Sequence, residues 1–262
     1  MSKRIDLLRL DYMFSVIVPM LLAIYFNDLS IMDHLDILVG FGFLAITGNT
    51  LNDAIDARDP DDHETHERIE GYHWKEIAAI GIIAFIFGIM MFARTVQEHP
   101  INGVYLAASI IMVIVYCVKK DVIIFNQILL GISHVFFPYL MIKTDANSSP
   151  LLSQMEWIIM LCFFSYAFSG QIVHEVIDKD SISRLSLRGQ QITVIVSSII
   201  TIIFGAIVLI ILEDIYFLPL AFIPFGSIYT FRKPTESTKG VKDVGIIMGN
   251  IIMIYFLVLI II

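Results

Sequence analysis

Charged side chains are scarce in this sequence: they make up 16% of its 262 residues, against 57% hydrophobic residues and a mean hydropathy of +0.81. Soluble globular domains carry about 25% charged residues, so a chain whose main solvent is water is excluded. Cysteine is scarcer still. Cys117 and Cys162 both stand inside apolar runs, which excludes a disulfide framework and a cysteine-ligated metal. There is no basic groove and no interleaving of basic with aromatic residues, and a nucleic-acid role falls with them. Apolar alternation of period two is also missing, which excludes a membrane β-barrel. Neither a low-complexity segment nor a linker interrupts the chain, and residues 1–262 are expected to form one transmembrane domain.

What the sequence has instead is long apolar runs. A hydrocarbon core of about 30 Å takes roughly 17–25 helical residues to cross, and the backbone there must satisfy its own hydrogen bonds, so these runs are expected to be helices. Nine spans are predicted: Leu10 to Phe26, Leu35 to Leu51, Trp74 to Ala93, Ile101 to Val118, Val122 to Ile142, Met155 to Val173, Ile192 to Leu212, Ile215 to Phe231 and Val244 to Ile262. The fold class is thus all-α, a polytopic membrane bundle. Ile24-Tyr25-Phe26-Asn27 offers no small-residue cleavage site, so the first run is expected to be retained and not removed as a signal peptide.

Threading nine spans with the N-terminus inside sorts the basic residues sharply. Lys3, Arg4, Arg9, Arg58, Arg68, Lys75, Lys119, Lys120, Lys179, Arg184, Arg188, Arg232, Lys233, Lys239 and Lys242 fall inside, and only Arg94 and Lys143 fall outside. The positive-inside rule then predicts a cytoplasmic N-terminus.

Most of the acids gather in two clusters on that same face. The second span runs into Asn52, Asp53, Asp56 and Asp59; if the helix continues, Asn52, Asp56 and Asp59 share one stripe at i, i+4 and i+7, with Asp53 beside it. Like charges on one stripe of a membrane-embedded helix end call for a cation, and hard carboxylate and amide oxygens suit Mg²⁺, which takes phosphate oxygens as further ligands. Asp61, Asp62, Glu64, Glu67 and Glu70 read as a solvated loop, as do His63, His66 and His73. The sixth span ends in a second stripe, Gln171, His174, Glu175 and Asp178, with Asp180 just off it. His174 has no other histidine or cysteine at ligand spacing and is assigned a hydrogen-bonding role behind the ligands. The two clusters recur four spans apart, which hints at a duplicated four-helix unit plus a ninth helix.

Paired acidic clusters bridged by metal imply an anionic ligand such as a diphosphate, which also takes direct cationic contacts. Candidates on that face are Arg9, Arg58, Arg68, Lys119, Lys120, Arg184 and Arg188. Arg232, Lys233, Lys239 and Lys242 read as topology determinants. Phe136, Phe137, Tyr139, Phe163, Phe164, Tyr166 and Phe168 serve packing or lipid contact, and any that line a cavity could stabilise a carbocation through their π faces by about 0.5–2 kcal/mol each.

These motifs resemble those of the UbiA superfamily of intramembrane prenyltransferases. Asn52, Asp53, Asp56 and Asp59 are similar to its first signature, with Asp59 one position before the family's last Asp, where Pro60 stands. Gln171, His174, Glu175, Asp178 and Asp180 are similar to its second, with Ile182 in place of the final Asp. Tyr116, Lys119, Lys120 and Asn126 resemble its central loop, while Glu67-Arg68-Ile69-Glu70-Gly71 replaces the usual Arg-Pro stretch. The resemblance implies a nine-helix bundle around a lipid-accessible central cavity. It implies Mg²⁺ held by both clusters, with Asp53, Asp56 and Asp178 central to catalysis. It also implies a diphosphate gripped by the basic residues and Tyr116, and Gln171, His174 and Asn126 in support. The partners so implied are a prenyl diphosphate, a hydrophobic acceptor (a quinone precursor, an aromatic, a lipid or a carotenoid) and the bilayer. Two rivals stay open: a CDP-alcohol phosphotransferase, whose pattern Ala57 breaks by replacing a required Gly, and a transporter or catalytically silent lipid-binding homologue, which the loss of an acid at Ile182 allows.

Overall fold

The structure, a computed structural model, describes residues 7–60, 63–119, 122, 124–147, 151–177, 181–232 and 239–262. Among these residues it is all-helical: α1 Phe14–Phe26, α2 Leu35–Asp56, α3 His63–Arg68, α4 Trp74–Met91, α5 Ala93–Glu98, α6 Pro100–Val118, α7 Phe125–Gly131, α8 Phe137–Asp145, α9 Gln154–Ile177, α10 Leu187–Leu212, α11 Leu218–Phe222, α12 Phe225–Phe231 and α13 Lys239–Ile261. A π-helical turn, Ile132–Phe136, joins α7 to α8, and a 3-10 turn, Ser181–Arg184, follows α9.

Seven of the described segments are long and apolar enough to cross a membrane: Ile31–Asp56, Trp74–Met91, Pro100–Cys117, Phe125–Asp145, Gln154–Ile177, Leu187–Leu212 and Val244–Ile261. The other two predicted spans, Leu10–Phe26 and Ile215–Phe231, are shorter apolar helical segments. Proline explains the second. Pro219 and Pro224 lack the N–H that helix continuation needs, and the run divides into a 3-10 turn at Ile215–Phe217 followed by α11 and α12.

The chain forms two compact units, one comprising Met1–Leu106, Pro138–Ser148 and Gly249–Ile262, the other Ala107–Phe137 and Ser149–Met248. In the first, α2 lies along α4 with small residues between them. On α4 the buried positions are Ile77, Gly81, Ala84 and Gly88, while Ile82, Ile83, Ile86, Phe87 and Met90 are exposed. Small residues inward and bulky ones outward is the pattern of a lipid-facing helix, whose association rests on close packing. The approach is tight: a Cβ on Gly81 would stand 2.6 Å from Thr50 Oγ1, and one on Gly88 3.3 Å from the Gly40 carbonyl oxygen.

In the second unit α9 packs on α10 through hydroxyls as well as apolar surface. Ser169 Oγ lies 3.3 Å from Ser197 Oγ, and Thr201 Oγ1 donates to the Ser165 carbonyl at 3.0 Å. Such bonds between membrane helices average about 0.6 kcal/mol and reach about 2. Beside them Ile172, Val173, Val194 and Phe231 form a buried apolar cluster, anchoring the end of α9 that carries the second acidic stripe.

Candidate functional site

The last turn of α2 carries the first acidic cluster. Asn52 Nδ2 donates to Asp56 Oδ2 at 2.8 Å, the i, i+4 contact expected of neighbours on one helix face. Asp53 has no solvent exposure. Its Oδ1 accepts from Arg68 Nη1 at 2.6 Å and lies 3.5 Å from Arg9 Nη1. Arg68 is the last residue of α3, and Arg9 immediately precedes the first apolar run. The Arg9 guanidinium also sits over the Tyr12 ring, 4.4 Å from its centroid. Burial works against the Arg9 charge, but Tyr12 and Asp53 outweigh it and lift its pKa above the ordinary value.

Asp59 does not extend the helical stripe. The helix stops at Asp56, with Ala57 as its cap, and the Asp59 N–H turns back to the Asp56 carbonyl at 2.8 Å. Pro60 accounts for this, since a residue preceding proline is pushed out of the helical region. Asp59 is exposed, and its carbonyl oxygen lies 2.9 Å from His66 Nε2. Arg58 is exposed too and stacks over the Trp74 ring at 4.2 Å.

Two acceptor oxygens in the cluster have no hydrogen-bond partner among the described residues: Asn52 Oδ1 and Asp53 Oδ2, both buried. Leaving a buried acceptor unpaired costs about 1–3 kcal/mol, more for a charged group. Both are hard oxygens on adjacent residues at a helix end, the donor type that Mg²⁺ takes. The residues present therefore fit a hard divalent cation.

The second stripe is built differently. Both oxygens of Glu175 are engaged by protein donors: Gln127 Nε2 donates to Oε1 at 2.7 Å and Ser181 Oγ to Oε2, with further bonds from the Ile182 backbone and the Gln171 side chain. Glu175 is thus tied to α7 and to the turn that follows α9. Gln171 Nε2 also donates to the Tyr116 hydroxyl at 3.2 Å. Ile182, at the place of the missing acid, is fully buried. His174 is half-buried on α9, Asn126 is buried with its Oδ1 unpaired, and Lys119, Arg184 and Arg188 are exposed. Asp178, Asp180 and Lys120 lie outside the described residues.

Sequence reasoning missed Gln127 and Ser181, neutral residues whose partnership with Glu175 depends on tertiary contact. It also missed a polar cluster at the other end of α2. There Arg94 donates to both Asp36 oxygens at 2.9 and 3.0 Å, to Glu98 Oε2 at 3.0 Å and to Asp145 Oδ2 at 3.0 Å. His34 Nδ1 lies 2.7 Å from the same Asp145 oxygen. The available signal was that Arg94 is one of only two basic residues the predicted threading leaves outside.

No family model matches the chain, and no curated protein matches it. A solved structure does: that of digeranylgeranylglyceryl phosphate synthase in membranes, over 98% of each chain with a TM-score of 0.60 and 16% sequence identity. The two chains share a fold. With seven segments long and apolar enough to cross a membrane, the protein is a polytopic helical membrane protein. At 16% identity this synthase fold carries over helix placement and not side-chain roles.

Proposed function

We propose that the protein is an intramembrane prenyltransferase that moves an isoprenyl group from a prenyl diphosphate to a lipophilic acceptor with the help of Mg²⁺. The observation that carries this reading is the pair of unpaired buried oxygens, Asn52 Oδ1 and Asp53 Oδ2, flanked by two arginines at the end of a membrane helix. The shared fold supports it, since the neighbour is a digeranylgeranylglyceryl phosphate synthase in membranes.

In this reading Asn52, Asp53 and Asp56 hold the metal, with Asp59 beside them, and the bound ion supplies neutralising charge for the diphosphate oxygens. Arg9 and Arg68 fix the Asp53 carboxylate and present guanidinium groups whose remaining N–H donors suit phosphate oxygens. Arg58, Lys119, Lys120, Arg184 and Arg188 are the further candidates for phosphate contact. Asp178 and Asp180 are proposed to hold metal from the second stripe. Glu175, with its oxygens occupied, positions the turn after α9, helped by Gln171, Tyr116 and Asn126. The acidic ends of α2 and α9, with the N-terminus, are proposed to face the cytoplasm.

The test is turnover of purified protein in detergent or nanodiscs with prenyl diphosphates of several lengths and extracted membrane lipid as acceptor. Diphosphate release is expected only with Mg²⁺ and acceptor together, with mass spectrometry giving the prenylated product. Asp56→Ala is expected to lower kcat/KM by at least about 100-fold, or about 2.7 kcal/mol of transition-state stabilisation. Undiminished turnover in that variant removes the metal assignment. Flux of a substrate across proteoliposomes without chemical change would replace the transferase reading with transport.

A further inference from the structure

We propose that Glu98, His99 and Asp145 form a binding site for a divalent transition-metal ion, separate from the acidic end of α2. Each offers one ligand atom, and the three atoms lie within 4.8 Å of one another. Small side-chain adjustments bring such atoms to the roughly 2.0–2.2 Å that nitrogen and carboxylate ligands keep from zinc.

The local sequence sets this arrangement. Glu98 is the last residue of α5 and His99 caps it, with φ −132° and ψ 84°. Pro100 opens α6 and pushes the preceding His99 into that extended conformation. Asp145 ends α8.

A second observation points to a cation. The Asp145 side chain is only 1% exposed; Arg94 and His34 hold its Oδ2 and Thr95 also bonds the carboxylate, while Oδ1 has no partner at hydrogen-bond geometry among the described residues. Arg94 likewise grips Glu98 through Oε2. Arg94 thus holds both carboxylates in place, as the outer partners of metal ligands do. Charge agrees: Asp36, Glu98 and Asp145 bring three carboxylates to the single guanidinium of Arg94.

One imidazole with two carboxylates suits zinc, manganese or cobalt, whereas magnesium and calcium take oxygen ligands. Glu98 is exposed and His99 half-buried, so water reaches the site and can complete the coordination. The site is remote from the first acidic cluster. Asp36, which also holds Arg94, is near the start of α2 and Asp53 near its end; at about 1.5 Å per residue the two are roughly 25 Å apart.

The experiment is a Co²⁺ titration of tag-free, chelator-stripped protein, read by visible d–d absorption and by metal content after dialysis, with Zn²⁺ as competitor. With excess Mg²⁺ present to occupy the acidic end of α2, the expected result is one Co²⁺ per chain displaced by Zn²⁺, with affinity at least tenfold weaker in His99→Ala and in Glu98→Gln and unchanged in His66→Ala. Glu98 is an exposed side chain, so Glu98→Gln carries the test should His99→Ala fail to fold. Absence of a bound ion, binding that survives both site variants, or binding that disappears in His66→Ala overturns the proposal. No step of this test depends on prenyl transfer.

Discussion

Arg68 Nη1 donates to Asp53 Oδ1 at 2.6 Å, joining the last residue of a six-residue helix to a carboxylate with no solvent exposure. The contact makes the loop after α2 part of the acidic site. Arg68→Ala leaves Asp53 buried with Arg9 as its remaining cation at 3.5 Å. A loss of about 2 kcal/mol is expected, the scale of a hydrogen bond to a charged group. Denaturation in detergent checks this, and adding Asp53→Asn should cost less than the sum of the two single changes, because the groups are coupled.

Gly81 faces Thr50 one turn before the acidic cluster. Gly81→Ala places a Cβ 2.6 Å from Thr50 Oγ1 and 3.1 Å from Leu51 Cγ, and overpacking of this kind costs about 1–3 kcal/mol. Thr50→Ala should recover part of that loss by removing the nearer atom. Melting temperatures of the two singles and the double variant measure the recovery; identical melting of Gly81→Ala and wild type would deny the close approach of α2 and α4.

Arg94 ties Asp36, Glu98, Asp145 and the Asp33 carbonyl oxygen together. Arg94→Ala leaves the buried Asp145 carboxylate with His34 as its charged neighbour at 2.7 Å, and because Arg94 is itself partly exposed a loss of about 1–3 kcal/mol is expected. Arg94→Lys should restore only a minor part, since an ammonium cannot make the paired contact with Asp36. Thermal unfolding of both variants is the measurement, and full rescue by lysine would show that charge alone matters.

Glu175 accepts on both oxygens, from Gln127 and from Ser181. Glu175→Gln turns one acceptor into an N–H₂ donor facing another donor, and a destabilisation of about 1–3 kcal/mol is expected. The exchange Glu175→Gln with Gln127→Glu should recover stability by reversing the polarity of the contact. Failure of the exchange to exceed the single variant would place the strength of the contact with Ser181.

Membrane insertion, helical class and the position of the acidic helix ends were readable from the sequence because each depends on runs of residues along one chain segment. Apolar length marks a span whatever surrounds it, and Asn52 and Asp56 share a helix face through the 3.6-residue period alone. Local proline chemistry was readable in principle as well: Pro60 ends α2 before Asp59, and Pro219 and Pro224 break the predicted eighth span.

Partnership was another matter. That Arg68 and Arg9 converge on Asp53, that Gln127 and Ser181 occupy Glu175, and that Arg94 reaches Asp36 and Asp145 are facts about groups 6 to 58 residues apart in sequence. A hydrogen bond acts over about 3 Å, so its partners are fixed by helix packing and not by spacing along the chain. The sequence supplied the acids and their helices; the tertiary structure decided which oxygens are already occupied and which, as at Asn52, Asp53 and Asp145, are left to take a cation.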